Sequence, residues 1–162
     1  MKKTFILIFA FSINLIYSKE IQVNLLELYK ELHANPELSY QEFETSKKLA
    51  SVLESIGYQV TRNVGGNGVV ALLENGDGNT VMFRADMDGL PVEEKTGASY
   101  ASKNRVKNLE GEEVFTMHAC GHDVHMTVLI GVAEYLYKNK DTWQGKLLLV
   151  LEPAEEVSGG AR

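Results

Sequence analysis

The chain has 162 residues, a length that fits one domain with a core of its own. Hydrophobic residues make up 44% and charged residues 23%, which is ordinary for a globular protein. The net charge of -6 and the lack of any long run of Lys or Arg exclude nucleic acid as an expected partner, and the single cysteine cannot form a disulfide within the chain.

The N-terminus has the features of a secretory signal peptide. Two lysines precede a mostly apolar run at residues 5–17, and Ser18 offers a small residue for cleavage. The run is too short to span a bilayer comfortably, so no stable membrane anchor is expected. A buried first helix and an uncleaved anchor are the alternatives. We interpret residues 1–18 as a cleaved signal and 19–162 as the folded part, which predicts a secreted or periplasmic protein.

Two amphipathic helices are predicted next. The first covers residues 21–34 and places His33 in its last turn, where a cation suits the helix dipole and a surface position is expected. Ser39 and Glu42 have the spacing of a capping box that opens the second helix, and Gly57 ends it. The acidic residues of this region are expected to be solvated charges or caps. The inward side of the second helix is predicted to contain Phe43, Leu49, Ala50, Leu53 and Ile56.

Three strands are predicted over residues 58–62, 69–73 and 80–84. The second is continuously apolar, which favours a buried strand. The glycine-rich segment 65–68 predicts a turn, and Asn-Gly-Asp-Gly at 75–78 is a strong hairpin signal, so the third strand is expected to pair with the second. Neither glycine cluster has the context of a phosphate-binding loop, so turn formation is the preferred interpretation.

Two carboxylates, Asp86 and Asp88, follow the third strand directly. Ligands of α/β proteins bind outside the carboxyl ends of the strands, so this position favours chemistry. An Asp-x-Asp pair alone is weak evidence, because a turn or a helix cap explains it equally well. The polar residues 92–116 predict a loop or a small excursion.

Residues 117–125 concentrate metal-binding groups: three of the four histidines, one aspartate and the only cysteine. Imidazole and thiolate bind transition metals, whereas the alternative is a helix start with a buried, packed cysteine. A helix is predicted from about His122 to Lys138, so Cys120 lies near its N-terminus, where the dipole favours the thiolate. Gly131 predicts close packing against a neighbour. The residues predicted to share one apolar face are Val128, Val132, Tyr135 and Leu136.

A last apolar strand at residues 146–151 is followed by Glu155 and Glu156. We expect three pairs to lie at the carboxyl edge of one predicted sheet: this pair, the aspartate pair and the cysteine–histidine pair. Adjacent glutamates are usually solvated, but hydrolysis at a metal centre needs one carboxylate to bind the cation and another to accept a proton. Adjacent residues in an irregular turn point in different directions, so the pair can divide these roles.

Together the motifs resemble those of the metal-dependent amidohydrolases that include hippurate hydrolase, N-acyl-amino-acid hydrolase and auxin-conjugate (IAA-amino acid) hydrolase. They are NPELS at 35–39, RADMDGLP at 84–91, MHACGHDVH at 117–125 and PAEE at 153–156. The resemblance runs from about Leu25 to Arg162. It implies an α/β fold, namely a zinc-exopeptidase-like catalytic domain with a mixed central sheet flanked by helices.

The resemblance also implies roles for individual residues. The implied metal ligands are Cys120, His122 and Glu156. Glu155 would be the general base and Asp88 would orient or polarise the site. The remaining candidates, for contacts to the ligands or to substrate, are Asp86, His118 and His125. The implied reaction is hydrolysis of the amide bond of an N-acyl amino acid or similar small amide, with water held by a divalent metal as the nucleophile.

Members of that family carry two divalent ions per complete site, and mixed sulfur, nitrogen and oxygen ligation fits Zn, Mn, Co or Ni. They are longer and homodimeric, with a smaller dimerisation and lid domain and two further histidine ligands that no residue of this chain matches. We therefore expect the N-terminal part of a truncated catalytic domain that holds at most one ion, with uncovered apolar surfaces. The alternative is an inactive fragment that at most binds a metal. A thiol-redox function is disfavoured because no second cysteine exists.

Overall fold

The computed structural model describes residues 22–160. The proposed signal segment, residues 1–18, lies outside this range and stays a prediction. The described helices are α1 Leu25–Ala34, α2 Phe43–Ile56 and α3 His122–Lys138. The described strands are β1 Gln59–Val64, β2 Gly68–Asn75, β3 Thr80–Asp86, β4 Arg105–Lys107, β5 Glu113–Phe115 and β6 Gly145–Glu152. None of the described helices combines the length and the apolar character that a membrane crossing requires.

The main sheet has four strands in the order β1-β2-β6-β3, and β4 and β5 form a separate two-stranded hairpin within the predicted excursion. β2 is antiparallel to β1 and β6, whereas β3 is parallel to β6. The predicted turn at 65–68 joins β1 to β2, but the predicted hairpin between β2 and β3 is wrong. β6 lies between them, hydrogen-bonded to β2 on one side and to β3 on the other, and its register with β3 sets Asp86 opposite Glu152.

One hydrophobic core joins the sheet to the helices. α2 packs on β1 and β2, α3 packs on β3 and β6, and α1 packs on α3. Alternate residues of the two central strands face the helices, as the period of a strand requires; they are Val69, Ala71, Leu73, Leu147, Leu149 and Leu151. Burying one such leucine contributes about 1.5–3 kcal/mol. The predicted fold class, an α/β fold built on a mixed sheet with packed helices, is confirmed.

The start of α2 differs from the prediction. Leu49, Ala50, Leu53 and Ile56 are buried as expected, but Phe43 is 61% exposed. Glu42 occupies the N-cap position without making a capping bond, so the predicted Ser39–Glu42 capping box is wrong. Glu37 accepts the second and third backbone N–H groups of the helix instead, at 3.1 and 2.8 Å. Ser39 and Glu42 both have partners far away in sequence, which local spacing cannot reveal.

Helix α3 has the predicted bounds but buries a different face. Val128 and Tyr135 are 58% and 66% exposed. The buried apolar residues are Met126, Leu129, Ile130 and Ala133. The helix is apolar on more than one side, so its period alone does not select the inner face. The close packing predicted at Gly131 is confirmed, because a Cβ there would lie 3.1 Å from a methyl carbon of Leu25 in α1.

The outer edge of the sheet carries apolar side chains. β3 has a hydrogen-bonded neighbour only on its β6 side within the described sheet, and Val81, Met82 and Phe83 are exposed there. The exposed Val128 and Tyr135 of α3 add to the apolar surface. Such surfaces favour association with another protein surface. The uncovered apolar surface expected from the sequence is therefore present.

Replacing Tyr58 with phenylalanine is expected to lower the free energy of unfolding by about 1 kcal/mol. The buried Tyr58 hydroxyl donates to the carbonyl of Ala133 in α3 at 3.0 Å, and the substitution removes this bond without changing the ring. Urea denaturation measures the difference. Tyr135→Phe is the matched control, since its ring lies exposed on the same helix. Equal unfolding midpoints for the two variants would contradict the prediction.

Candidate metal centre

The candidate centre lies where β3 and β6 end and α3 begins. Asp86 is the last residue of β3, and Glu155 and Glu156 lie in a single 3-10 turn after β6. The ligand atoms of Cys120, His122 and Glu156 lie within 4.8 Å of one another. A metal ion can contact all three, since its bonds to sulfur and nitrogen ligands measure about 2.0–2.3 Å. The structure thus brings Glu156 to the cysteine and histidine of the segment 117–125.

His122 occupies the middle of this arrangement. It is 2% exposed, and its Nδ1 donates to the backbone carbonyl of Asp88 at 2.8 Å. The second ring nitrogen, Nε2, therefore faces the carboxylates, at 3.6 Å from Glu155 and 3.9 Å from Glu156. Hydrogen bonding to Asp88 raises the pKa of His122 to about 9, against the effect of burial. The bond at Nδ1 fixes the ring so that Nε2 points to the carboxylates, and a cation bound at Nε2 would displace the proton from that nitrogen.

Asp88 supports the centre without facing Nε2. This buried carboxylate accepts the Ser39 hydroxyl at 2.6 Å and the backbone N–H of Glu156 at 3.0 Å. Burial alone would raise the pKa of Asp88, but hydrogen bonds from His122, Ser39 and the Glu156 backbone hold it below its ordinary value. Asp88 therefore stays ionised and ties the positions of His122 and Glu156 together. This geometry suits the orienting role expected of Asp88.

Ser39 is a supporting residue that the helix-cap interpretation missed. An isolated parallel bridge between Leu38 and Gly89 sets its segment beside the loop that contains Asp88. Gly89 allows this approach, since a Cβ there would lie 3.0 Å from Pro36. The NPELS motif was the only signal in the sequence that connected Ser39 with the site.

Glu42 is a second supporting residue, and it is neither the solvated charge nor the helix cap that the sequence predicted. Its side chain is fully buried. One carboxylate oxygen accepts the backbone N–H groups of Ala154 at 2.8 Å and Tyr40 at 3.0 Å, and the other accepts the Asn67 amide at 3.0 Å. Ala154 has a φ of 54°, which is costly for a residue with a Cβ. Glu42 thus holds the turn that leads directly into Glu155.

Cys120 lies exposed at the rim of the centre. Desolvation and the negative charges of Glu156, Glu155 and Asp86 raise the pKa of its thiol. This direction is opposite to the predicted preference for a thiolate at the helix N-terminus, because desolvation and the nearby carboxylates favour the neutral thiol. A bound cation reverses this balance and deprotonates a coordinating thiol. Glu156 also has a buried oxygen, Oε1, without a hydrogen-bond partner, so the donor set fits a cation.

The three remaining candidates have different environments. Asp86 and His125 form a second group with His122, again with ligand atoms within 4.8 Å. Because His122 uses Nδ1 to contact Asp88, both groups depend on its Nε2 and are alternatives for one ion. Arg84 pairs with Asp86 at 3.2 Å and so competes with a cation there. His118 is buried outside both groups, and burial lowers its pKa to about 4, so it is a neutral residue near pH 7.

His33 is buried beside the centre, and its predicted surface position is wrong. Its ring contacts two carboxylates, Asp123 in the first turn of α3 and Glu94 in the loop after β3. Burial alone would lower the pKa of His33, but the hydrogen bonds and charges of Glu94 and Asp123 raise it above 6.5. Tyr29 and Tyr100 enclose the ring.

Raising the pH above about 6.5 is expected to remove stability that His33 provides. A histidine whose folded pKa lies above its unfolded value stabilises the protein fully below the unfolded pKa, and this contribution disappears as the pH passes the folded pKa. The difference in free energy of unfolding between the wild type and His33→Gln should therefore shrink from pH 6 to pH 9. Urea denaturation at each pH measures it. A constant difference would show that the proton on His33 has no role.

Comparison with known proteins identifies relatives that match most of the chain. A family model described as peptidase family M20/M25/M40 matches residues 82–162. Thermostable carboxypeptidase 2 of Saccharolobus solfataricus is 44% identical over 143 residues, which are 87% of this chain and 34% of that protein. Hippurate hydrolase of Campylobacter jejuni is 40% identical over 144 residues, which are 88% of this chain and 35% of that protein.

One further relative and one solved structure also match this chain. N-acetyl-L-cysteine deacetylase of Bacillus subtilis is 39% identical over 142 residues, which are 87% of this chain and 32% of that protein. A solved Bacillus subtilis structure, described as a dinuclear metal binding peptidase from the M20 family, is 37% identical with a TM-score of 0.75, and the match covers 85% of this chain and 36% of that one. The chain thus spans about a third of the length of the relatives it matches.

Proposed function

The chain belongs to peptidase family M20/M25/M40, and from this premise we propose that it contains the metal-binding part of an amide-hydrolysing centre. One observation carries the proposal: a thiol and an imidazole from the segment 117–125 and a carboxylate from the turn after β6 have their ligand atoms within 4.8 Å of one another. The family's metallo-hydrolases include a dinuclear metal-binding relative, which supports a divalent metal.

Cys120, His122 and Glu156 are the proposed metal ligands. Three protein ligands leave a coordination position open, as in catalytic zinc sites, and mixed sulfur, nitrogen and oxygen ligands also suit Mn, Co or Ni. A divalent ion held there polarises a carbonyl group and lowers the pKa of coordinated water. Asp88 keeps His122 and Glu156 in position through the hydrogen bonds described above.

Glu155 is the proposed general base. Its side chain is 37% exposed, whereas that of Glu156 is 16% exposed, so the two adjacent carboxylates have different access to solvent and substrate. This difference supports a division of roles in which Glu156 binds the cation and Glu155 accepts a proton from the attacking water. Glu155 then returns that proton to the leaving amine as the amide bond breaks.

The proposed substrates are N-acyl amino acids or similar small amides. Relatives named for hydrolysis of hippurate and deacetylation of N-acetyl-L-cysteine support this class. A cavity of about 290 Å³ borders Glu156 and offers space for an apolar group; its lining includes Leu38, Tyr40, Leu90, Leu109 and Val157. A larger groove of about 840 Å³ between α1 and α2 contains none of the proposed ligands, so its size carries no argument about the reaction.

Titration of the metal-free chain with Co²⁺ tests the proposed centre. We expect saturable binding of one ion with a thiolate-to-cobalt absorption band, because Cys120 is a ligand. Cys120→Ser should remove this band and weaken binding. His118→Gln is a control that also changes the nine-residue motif but lies outside both ligand groups, and it should retain the band. A wild-type chain that binds no cobalt, or binds it without the band, would contradict the proposed ligand set.

A further inference from the structure

A buried charged cluster next to the metal centre takes no part in the proposed reaction. It consists of His33, Glu94 and Asp123, whose side chains are 10%, 0% and 3% exposed. His33 Nδ1 lies 2.6 Å from Asp123 Oδ2, and His33 Nε2 lies 3.0 Å from Glu94 Oε1. Three segments far apart in the sequence thus meet through one imidazole ring, and we call this group the His33 cluster.

The hydrogen bonds of the His33 cluster require a charged ring. A neutral imidazole donates through only one nitrogen, whereas both nitrogens of His33 face carboxylate oxygens. The opposite carboxylate oxygens have donors of their own: Glu94 Oε2 accepts the Ser102 N–H at 2.5 Å, and Asp123 Oδ1 accepts the Val124 N–H at 2.9 Å. The cluster is therefore a hydrogen-bonded carboxylate–imidazolium–carboxylate chain, in which two carboxylates share one positive charge.

The His33 cluster holds the turn from which the proposed ligands project. Asp123 follows His122 directly, and Cys120 comes just before the helix. The N-cap of α3 is Gly121, which makes no side-chain capping bond and has a φ of 88°. The first turn of α3 therefore lacks the usual side-chain cap. The contact between Asp123 and His33 fixes that turn to α1.

We propose that His33 is a positioning residue for the metal-binding turn, acting through Asp123 to fix His122 Nε2 relative to Cys120 and Glu156. The effect on metal binding rests on the function proposed above. The effect on the turn rests only on the contacts of the His33 cluster and exists without metal. His33→Gln tests both parts, because glutamine keeps a polar side chain but cannot bridge two carboxylates as a cation.

The first measurement is amide hydrogen exchange by NMR in the metal-free chain. Val124 and His125 donate their backbone N–H groups to the Gly121 carbonyl at 3.1 and 3.2 Å and so report on the first turn. We expect His33→Gln to speed their exchange about tenfold relative to amides in the middle of α3. A tenfold change corresponds to the loss of a contact that stabilises the turn by about 1.4 kcal/mol. Tyr58→Phe is the matched control, because it removes a buried bond to the same helix at Ala133 and should leave the first turn unchanged.

The second measurement is Co²⁺ affinity and the absorption spectrum of the cobalt complex. We expect His33→Gln to weaken binding about tenfold and to shift the spectrum, since loss of supporting residues around metal ligands typically costs 10- to 100-fold. Tyr58→Phe should keep both. If His33→Gln fails to fold, Glu94→Gln, which keeps the contact between His33 and Asp123, should show the same changes at smaller size.

The outcomes separate the two proposals. If His33→Gln has the same first-turn exchange and cobalt affinity as Tyr58→Phe, the positioning role is overturned and His33 contributes to stability only. Faster first-turn exchange in a chain whose wild type binds no cobalt would support the positioning of the turn and overturn the proposed metal function. Faster exchange together with weaker cobalt binding supports both.

Discussion

Replacing Glu155 with glutamine is expected to lower kcat for hydrolysis of an N-acyl amino acid by about 10²- to 10⁴-fold, the contribution of a general base. Glutamine has almost the same shape but does not accept a proton from water near neutral pH. The bound metal should be unchanged, because Glu155 is the more exposed member of the pair and is absent from both groups of ligand atoms within 4.8 Å.

Measurement of turnover and bound metal on the same preparation distinguishes the two glutamates. Glu156→Gln is the matched control: it should lose metal and turnover together, whereas Glu155→Gln should lose turnover alone. Equal turnover in the wild type and Glu155→Gln would reject Glu155 as the base. If the folded, metal-loaded wild type shows no turnover on a panel of N-acyl amino acids, the result would favour the alternative function, a chain that binds a metal without hydrolysing amides.

Replacing Glu42 with alanine is expected to lower the free energy of unfolding by about 3–5 kcal/mol. The fully buried carboxylate accepts hydrogen bonds from Tyr40, Asn67 and Ala154, and its removal leaves all three donors without their partner. The left-handed conformation of Ala154 also loses the bond that holds it. Such a loss exceeds that of an ordinary surface substitution several-fold.

Urea denaturation of Glu42→Ala and Glu44→Ala measures this difference. Glu44 lies in the first turn of the same helix with an exposed side chain, so its substitution should change stability by no more than about 0.5 kcal/mol. Glu42→Gln should lie between them, since it keeps an oxygen that can accept the Ala154 N–H. Similar unfolding midpoints for Glu42→Ala and Glu44→Ala would contradict the inference that Glu42 holds the turn before Glu155.

Local features of the sequence determined most of the element bounds and the family. Gly57 ends α2 in the left-handed conformation that a residue without a Cβ adopts readily, and α3 runs from His122 to Lys138 as its pattern predicts. The proposed metal ligands could also be selected from the sequence, because the carboxyl ends of buried strands meet at one edge of a sheet. The matched family model confirms the relationship that the motifs indicated.

Only the tertiary structure decided the strand order and the supporting contacts of the site. The signal at 75–78 describes a tight turn, but the pairing of β3 depends on β6, which begins at Gly145, 59 residues after β3 ends at Asp86. Glu42 and His33 have the sequence context of surface charges, yet partners 112 and 90 residues away allow both to be buried. A charged group can be buried only where hydrogen-bond donors or counter-charges replace its hydration. The spacing of residues in the sequence does not identify such partners when they are distant.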